Sequence, residues 1–137
     1  MYQPLFDEFL STDDTLRVYK GSKLIFASDK DRLLPLVEYI GKFACRHRNV
    51  VIFDKIMGRA AALLCIKANC REVFSPLGSQ LAVEVLCKRG IKYHLNRTVP
   101  CIQTPDEKMC PIEALSIGKE PEKFYQLIKN LLAENPC

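Results

Sequence analysis

Five polar side chains of this 137-residue chain stand where chemistry could be done. Asp54 and Lys55 follow the apolar run Val50-Val51-Ile52-Phe53, at the point where a buried strand must stop. Ser79 precedes Leu81, Ala82, Val85 and Leu86, an amphipathic set for which it is a good N-cap. Cys110 and Glu113 open a third segment, Cys110-Pro111-Ile112-Glu113, with proline at a first helical position and an acid in the first turn. A thiol beside a helix start has its thiolate favoured by the helix dipole, the setting of a nucleophile or a redox-sensing cysteine. Cys110 is then the nucleophile, with Asp54 or Glu113 as its acid–base partner. An anionic group could rest on the N–H groups behind Ser79, paired with Lys55. Each residue also has a plainer use. Asp54 serves as an N-cap, Lys55 as a solvated cation, and Cys110 as loop packing with Glu113 completing a cap. Gly58 sits in a helical stretch, where glycine costs about 1 kcal/mol against alanine. Either a ligand or another backbone comes close to it, or it packs tightly.

These residues need a scaffold, and its period is legible. A short helix over 4–10 carries Leu5, Phe6, Phe9 and Leu10. Alternation over 15–20 and 23–28, joined by Gly21-Ser22, predicts an antiparallel hairpin. A helix from 29 to about 43 follows, with Leu33, Leu34, Val37, Ile40 and Gly41 inward. The strand over 49–53 leads directly into a helix reaching about 67, with Ile56, Ala60, Leu63 and Leu64 on its buried stripe. A strand over 71–75, a turn at Pro76-Leu77-Gly78-Ser79, a helix ended by Gly90 and a strand over 91–95 complete the pattern. Connections this short require parallel strands with right-handed crossovers. After a polar loop, a two-turn helix runs to about 117 and a final amphipathic helix spans 121–134. The fold class is α/β: a three-layer α/β/α sandwich with a mixed five-stranded sheet, one domain over 1–137.

Composition narrows the function. Twenty basic and sixteen acidic residues leave a charge of +4, and Arg46-His47-Arg48 is the densest basic run, so no nucleic-acid partner is expected. No apolar run approaches a membrane span, and Asp7, Glu8, Asp13 and Asp14 do not suit a signal peptide, so a cytoplasmic protein is expected. Seven cysteines without export or regular spacing argue against a disulfide framework. Cys65, Cys70 and Cys87 read as small core residues. With no Cys-x-x-Cys and only His47 and His94, no metal site is expected.

The run Asp54-Lys55-Ile56-Met57-Gly58-Arg59-Ala60-Ala61-Ala62 resembles the Asp-Lys-x-x-Gly-x-Ala-Ala signature of a small prokaryotic family known only as the domain of unknown function DUF1893. Ser79 with Ala82 and Leu86 before Gly90-Ile91, then Val99-Pro100, then Cys110-Pro111-x-Glu113 match its other landmarks, from Leu16 to Leu132. The resemblance implies a cytidine deaminase-like fold. Zinc deaminases need His-x-Glu or Cys-x-Glu on one helix and Pro-Cys-x-x-Cys on the next. Here those places hold Asp54-Lys55-Ile56 and Pro76-Leu77-Gly78-Ser79, so the resemblance does not extend to zinc-dependent deamination. No cofactor is expected. The leading expectation is a re-used pocket for an unknown, nucleotide-like small molecule, lined by Asp54, Lys55, Gly58 and Ser79, with Cys110 as nucleophile if turnover occurs. The alternatives are a ligand sensor, a homo-oligomeric assembly module using Tyr125 and Leu132 on the last helix, and a thiol redox sensor using Cys110 and Cys101.

Overall fold

The apolar run at 50–53 forms the middle of the sheet because it has nothing polar to offer solvent on either side. The computed structural model describes residues 2–43 and 46–134. Its central strand β3 (Val50–Asp54) is buried at every position. Strand β1 (Leu16–Lys20) pairs with it antiparallel, and β4 (Cys70–Ser79) pairs parallel on the opposite side. Outside these lie β2 (Lys23–Ser28), antiparallel to β1, and β5 (Lys92–Val99), parallel to β4, giving the order β2-β1-β3-β4-β5. Gly21 turns the β1–β2 hairpin at φ +61°, a conformation a side chain would strain.

Two apolar layers flank the sheet. Helix α1 (Gln3–Leu10) covers one face, where Tyr2, Phe6 and Phe9 meet Tyr19, Val51, Phe53 and Phe74 in an aromatic cluster. Ring centroids there stand 5.0–6.4 Å apart, mostly tilted or edge-on, as aromatic quadrupoles prefer. The opposite face carries α2 (Leu34–Phe43), α3 (Arg59–Lys67), α4 (Gln80–Lys88), α5 (Pro111–Ser116) and α6 (Pro121–Glu134), packed on Val18, Val50, Ile52 and Val73. This is the three-layer sandwich with a mixed five-stranded sheet that the residue pattern predicts. No helix among the described residues is long and apolar enough to cross a membrane.

Local expectations fail where a distant partner decides. The helix expected from 29 begins at Leu34, because Arg32 turns left-handed (φ +59°) and Pro35, lacking an N–H, belongs in a first turn. Of the expected stripe Ile40 is buried and Leu33 and Val37 pack partly buried against the core, while Pro35, Leu36 and Tyr39, not expected, are buried too. The turn at Pro76–Ser79 is strand instead. Met57 donates its N–H to Leu77 O at 2.8 Å and accepts from Ser79 N–H at 3.1 Å, while β5 extends to Val99 and pairs with the same stretch. Cys87 is exposed, not core; Cys65 is buried and Cys70 half-buried. Tyr125, expected on an outward face, is in the core, and Leu132 is half-buried against the core.

One polar atom in the core lacks a partner. Tyr39 is fully buried between Phe26 and Phe43, its hydroxyl makes no hydrogen bond among the described residues, and burial pushes its pKa up to about 12. Leaving a buried hydroxyl unsatisfied costs about 1–3 kcal/mol. Tyr39→Phe is therefore expected to raise stability by about 1 kcal/mol in urea denaturation. A loss of stability would show that the hydroxyl has a partner in solution.

Candidate functional site

The residues expected to act together lie along the carboxyl edge of the parallel strands. Asp54 closes β3 there, 8% exposed, and the dry surroundings push its carboxyl up to about 7 although the Ile56 and Lys55 backbone groups pull it down. Its bond to the Ile56 N–H is long, at 3.4 Å. A carboxyl that exchanges its proton near neutrality is chemically useful. Asp54 is not an N-cap, however. The chain runs on as a loop through Met57, and α3 starts after Gly58, whose extended backbone (φ −83°, ψ 178°) is the cap. Ile56, expected on the buried helical stripe, is 49% exposed in that loop.

The helix start so displaced is occupied by the chain itself. Glu113, 2% exposed, accepts the Arg59 N–H on Oε1 and the Ile102 N–H on Oε2, the latter at 2.6 Å. It holds the position an external anion would take at a helix amino end. Gly58 is what allows it: a Cβ there would stand 2.9 Å from both Glu113 Oε1 and Ile102 Cγ1. Close packing against side chains, rather than against a ligand or a backbone, accounts for this glycine.

Other expected partners point elsewhere. Lys55 Nζ donates to Thr12 O at 2.8 Å and lies 4.7 Å from the centroid of the Phe9 ring, on the α1 side of the sheet. Ser79 is buried and caps α4 as expected, its Oγ accepting the Ala82 N–H at 3.1 Å. Cys110 is half-buried at the start of α5 and makes no side-chain cap; its N–H goes to Ile102 O at 2.8 Å. Thus Glu113 and Gly58 are brought together, and Lys55 and Ser79 are each held by other groups.

Two cavities open away from this edge. The first, about 320 Å³, lies among α3, α4 and the start of α6. Arg59, Lys88, Arg89 and Lys119 line it against Glu84 and Glu120. Arg89 is paired with Glu120 at 2.7 Å. Among the described residues the Arg59 guanidinium bonds to carbonyls, Ser116 O at 3.1 Å and Lys119 O at 3.5 Å, and has no carboxylate partner. Lys88, Lys119 and Glu84 have no ion pair among the described residues. Cations at the ends of helices are ordinary in a sequence, and only the fold reveals that three segments aim theirs into one space.

The second cavity, about 330 Å³, lies on the α1 side and is lined by Tyr2, Gln3, Arg71, Glu72, Phe74 and His94. A bulge makes it. Val50 pairs with Cys70 but Val51 with Glu72, so Arg71 is an extra residue. Cys70 packs against the helical core, while Arg71 and Glu72 both reach the α1 face. Regular alternation would separate these neighbours, which is why no sequence signal marks them.

Among the described residues no three His, Cys, Asp or Glu side chains are grouped to hold a metal. The family model for the domain of unknown function DUF1893 matches residues 6–132. No curated protein matches the chain. Among solved structures, a DUF1893 family protein from Thermotoga maritima aligns with a TM-score of 0.83 at 24% identity, covering 93% of this chain and 87% of that one. At that identity the likeness speaks for the fold alone.

Proposed function

Because this chain belongs to the DUF1893 family, whose function is unassigned, we propose from its own geometry that it is a cytoplasmic small-molecule-binding protein whose basic cleft takes a phosphate-bearing ligand. The carrying observation is the charge of the 320 Å³ cleft: Arg59, Lys88, Arg89 and Lys119 against Glu84 and Glu120. Such a volume is of small-ligand size, and doubly charged phosphate is the natural partner of an uncompensated guanidinium flanked by lysines. Glu84, in the same lining, would accept from a hydroxyl of that ligand.

Titration calorimetry with inorganic phosphate and then with a nucleoside monophosphate tests this. Binding is expected, weakening as salt is raised, and the double variant Lys88→Ala/Lys119→Ala should bind at least about tenfold more weakly, about 1.4 kcal/mol. Both lysines make no ion pair among the described residues, so the variant is expected to fold. Unchanged affinity in it, or no heat at millimolar phosphate, would remove the cleft from the function.

A second reading rests on Asp54. A carboxyl of pKa about 7 at a strand edge suits proton transfer, with Cys110 as the nucleophile of that edge. The commitment of Glu113 to two backbone N–H groups supports Asp54 over Glu113 as the acid–base group.

A further inference from the structure

On the sheet face opposite the basic cleft, the cavity under the amino end of α1 joins aromatic walls to a pair of charged groups. Its walls are aromatic: Tyr2, Phe74 and His94, the last two stacked at 4.2 Å with 18° between their planes. Besides Gln3, which donates to Asp7, its polar side chains include an arginine and a carboxylate side by side, placed on one face only because the bulge at Arg71 breaks the alternation of β4. Arg71 Nη2 donates to Tyr2 Oη at 3.3 Å, and its guanidinium lies 5.8 Å from the Tyr2 ring centre. Glu72 Oε2 meets His94 Nε2 at 2.6 Å, which fixes the carboxylate and leaves Oε1 without a hydrogen bond among the described residues. The remaining N–H groups of Arg71 are likewise uncommitted among the described residues.

We infer that this groove binds a flat nitrogen heterocycle of the guanine type, one with a ring carbonyl next to ring N–H and amino donors. The exposed face of His94, backed by the Phe74 ring it stacks on, supplies stacking area, with the edge of Tyr2 beside it. Arg71 donates to the ring carbonyl, and Glu72 accepts from the ring N–H and the amino group. A uracil-type pyrimidine offers Glu72 a ring N–H but no adjacent amino donor, and an aliphatic ligand gains nothing from the walls. The inference is independent of the phosphate cleft, which lies among the helices on the opposite face of the sheet.

Saturation-transfer NMR with guanosine as the probe, on the full chain carrying any affinity tag at its carboxyl end, tests the groove. Transfer to the base proton of guanosine is expected. 1-Methylguanosine, whose ring N–H is gone, should bind at least tenfold more weakly, as should guanosine to Glu72→Gln. Inorganic phosphate should not displace guanosine, which separates this site from the cleft. Arg71→Lys, which keeps the charge but not the planar fork, serves as the second variant where Glu72→Gln does not fold. Equal binding of guanosine and 1-methylguanosine, unchanged binding in the folded variant, displacement by phosphate, or no transfer to the base would each overturn the inference.

Discussion

Replacing Asp54 with Asn is expected to stabilise the protein by about 4 kcal/mol near pH 8 and by almost nothing near pH 3.5. The carboxyl goes from 3.8 in an open chain to about 7 in the fold. Between those values the folded state holds a proton that the unfolded state has released. Stability from this group is complete below pH 3.8, falls as pH rises, and is lost above about 7. Asn imitates the protonated form at every pH, so the difference between the two proteins isolates this one group from the rest of the titration. Urea denaturation at several pH values reads it directly. A difference that does not change with pH would show that the Asp54 carboxyl ionises freely in the fold. A group that weakens the fold at neutral pH is of the kind that functional sites keep, which is why Asp54 carries the second reading.

Glu113→Ala carries the second large effect, a loss of about 3 kcal/mol. Its carboxylate satisfies the Arg59 N–H at the start of α3 and the Ile102 N–H in the loop ahead of α5. Truncation leaves both donors without an acceptor in a place solvent does not reach freely. Glu113→Gln is expected to lose nearly as much, because one of its two atoms then presents N–H to N–H. The effect should be local before it is global. With the clasp gone, the loop between Val99 and Pro111 is released, and limited proteolysis should cut there while β3 and β4 remain protected. A variant as stable and as protease-resistant as the parent would show that the clasp contributes nothing.

That clasp also explains what the sequence could and could not disclose. Strand β3 was legible because four apolar residues between polar neighbours leave one buried reading. Ser79 was legible because its partner, the Ala82 N–H, lies three residues away. The start of α3 was not, since its cap is a glycine without a side chain and the acceptor for Arg59 comes from Glu113, across the chain. Asp54 looked like the cap because an acid before a helical run usually is one. Pro76 looked like a turn because proline usually leaves a sheet, yet here Met57 and β5 hold Leu77 to Ser79 in register from both sides. The edge gathering of Asp54, Gly58 and Glu113 was thus half visible. Neither cavity was, as one needs three helix ends to converge and the other depends on a single extra residue at Arg71.

The aromatic layer beneath α1 has a consequence for how the molecule is made. Tyr2, Phe6 and Phe9 are synthesised well before Phe53 and Phe74, on which they close. An eight-residue helix is marginal in water by itself. Until β3 and β4 are synthesised, much of the surface these rings close on is missing, and the nascent chain leaves them exposed. Docking of this helix therefore waits on β3 and β4, making one of the longest-range contacts of the fold among its last to form.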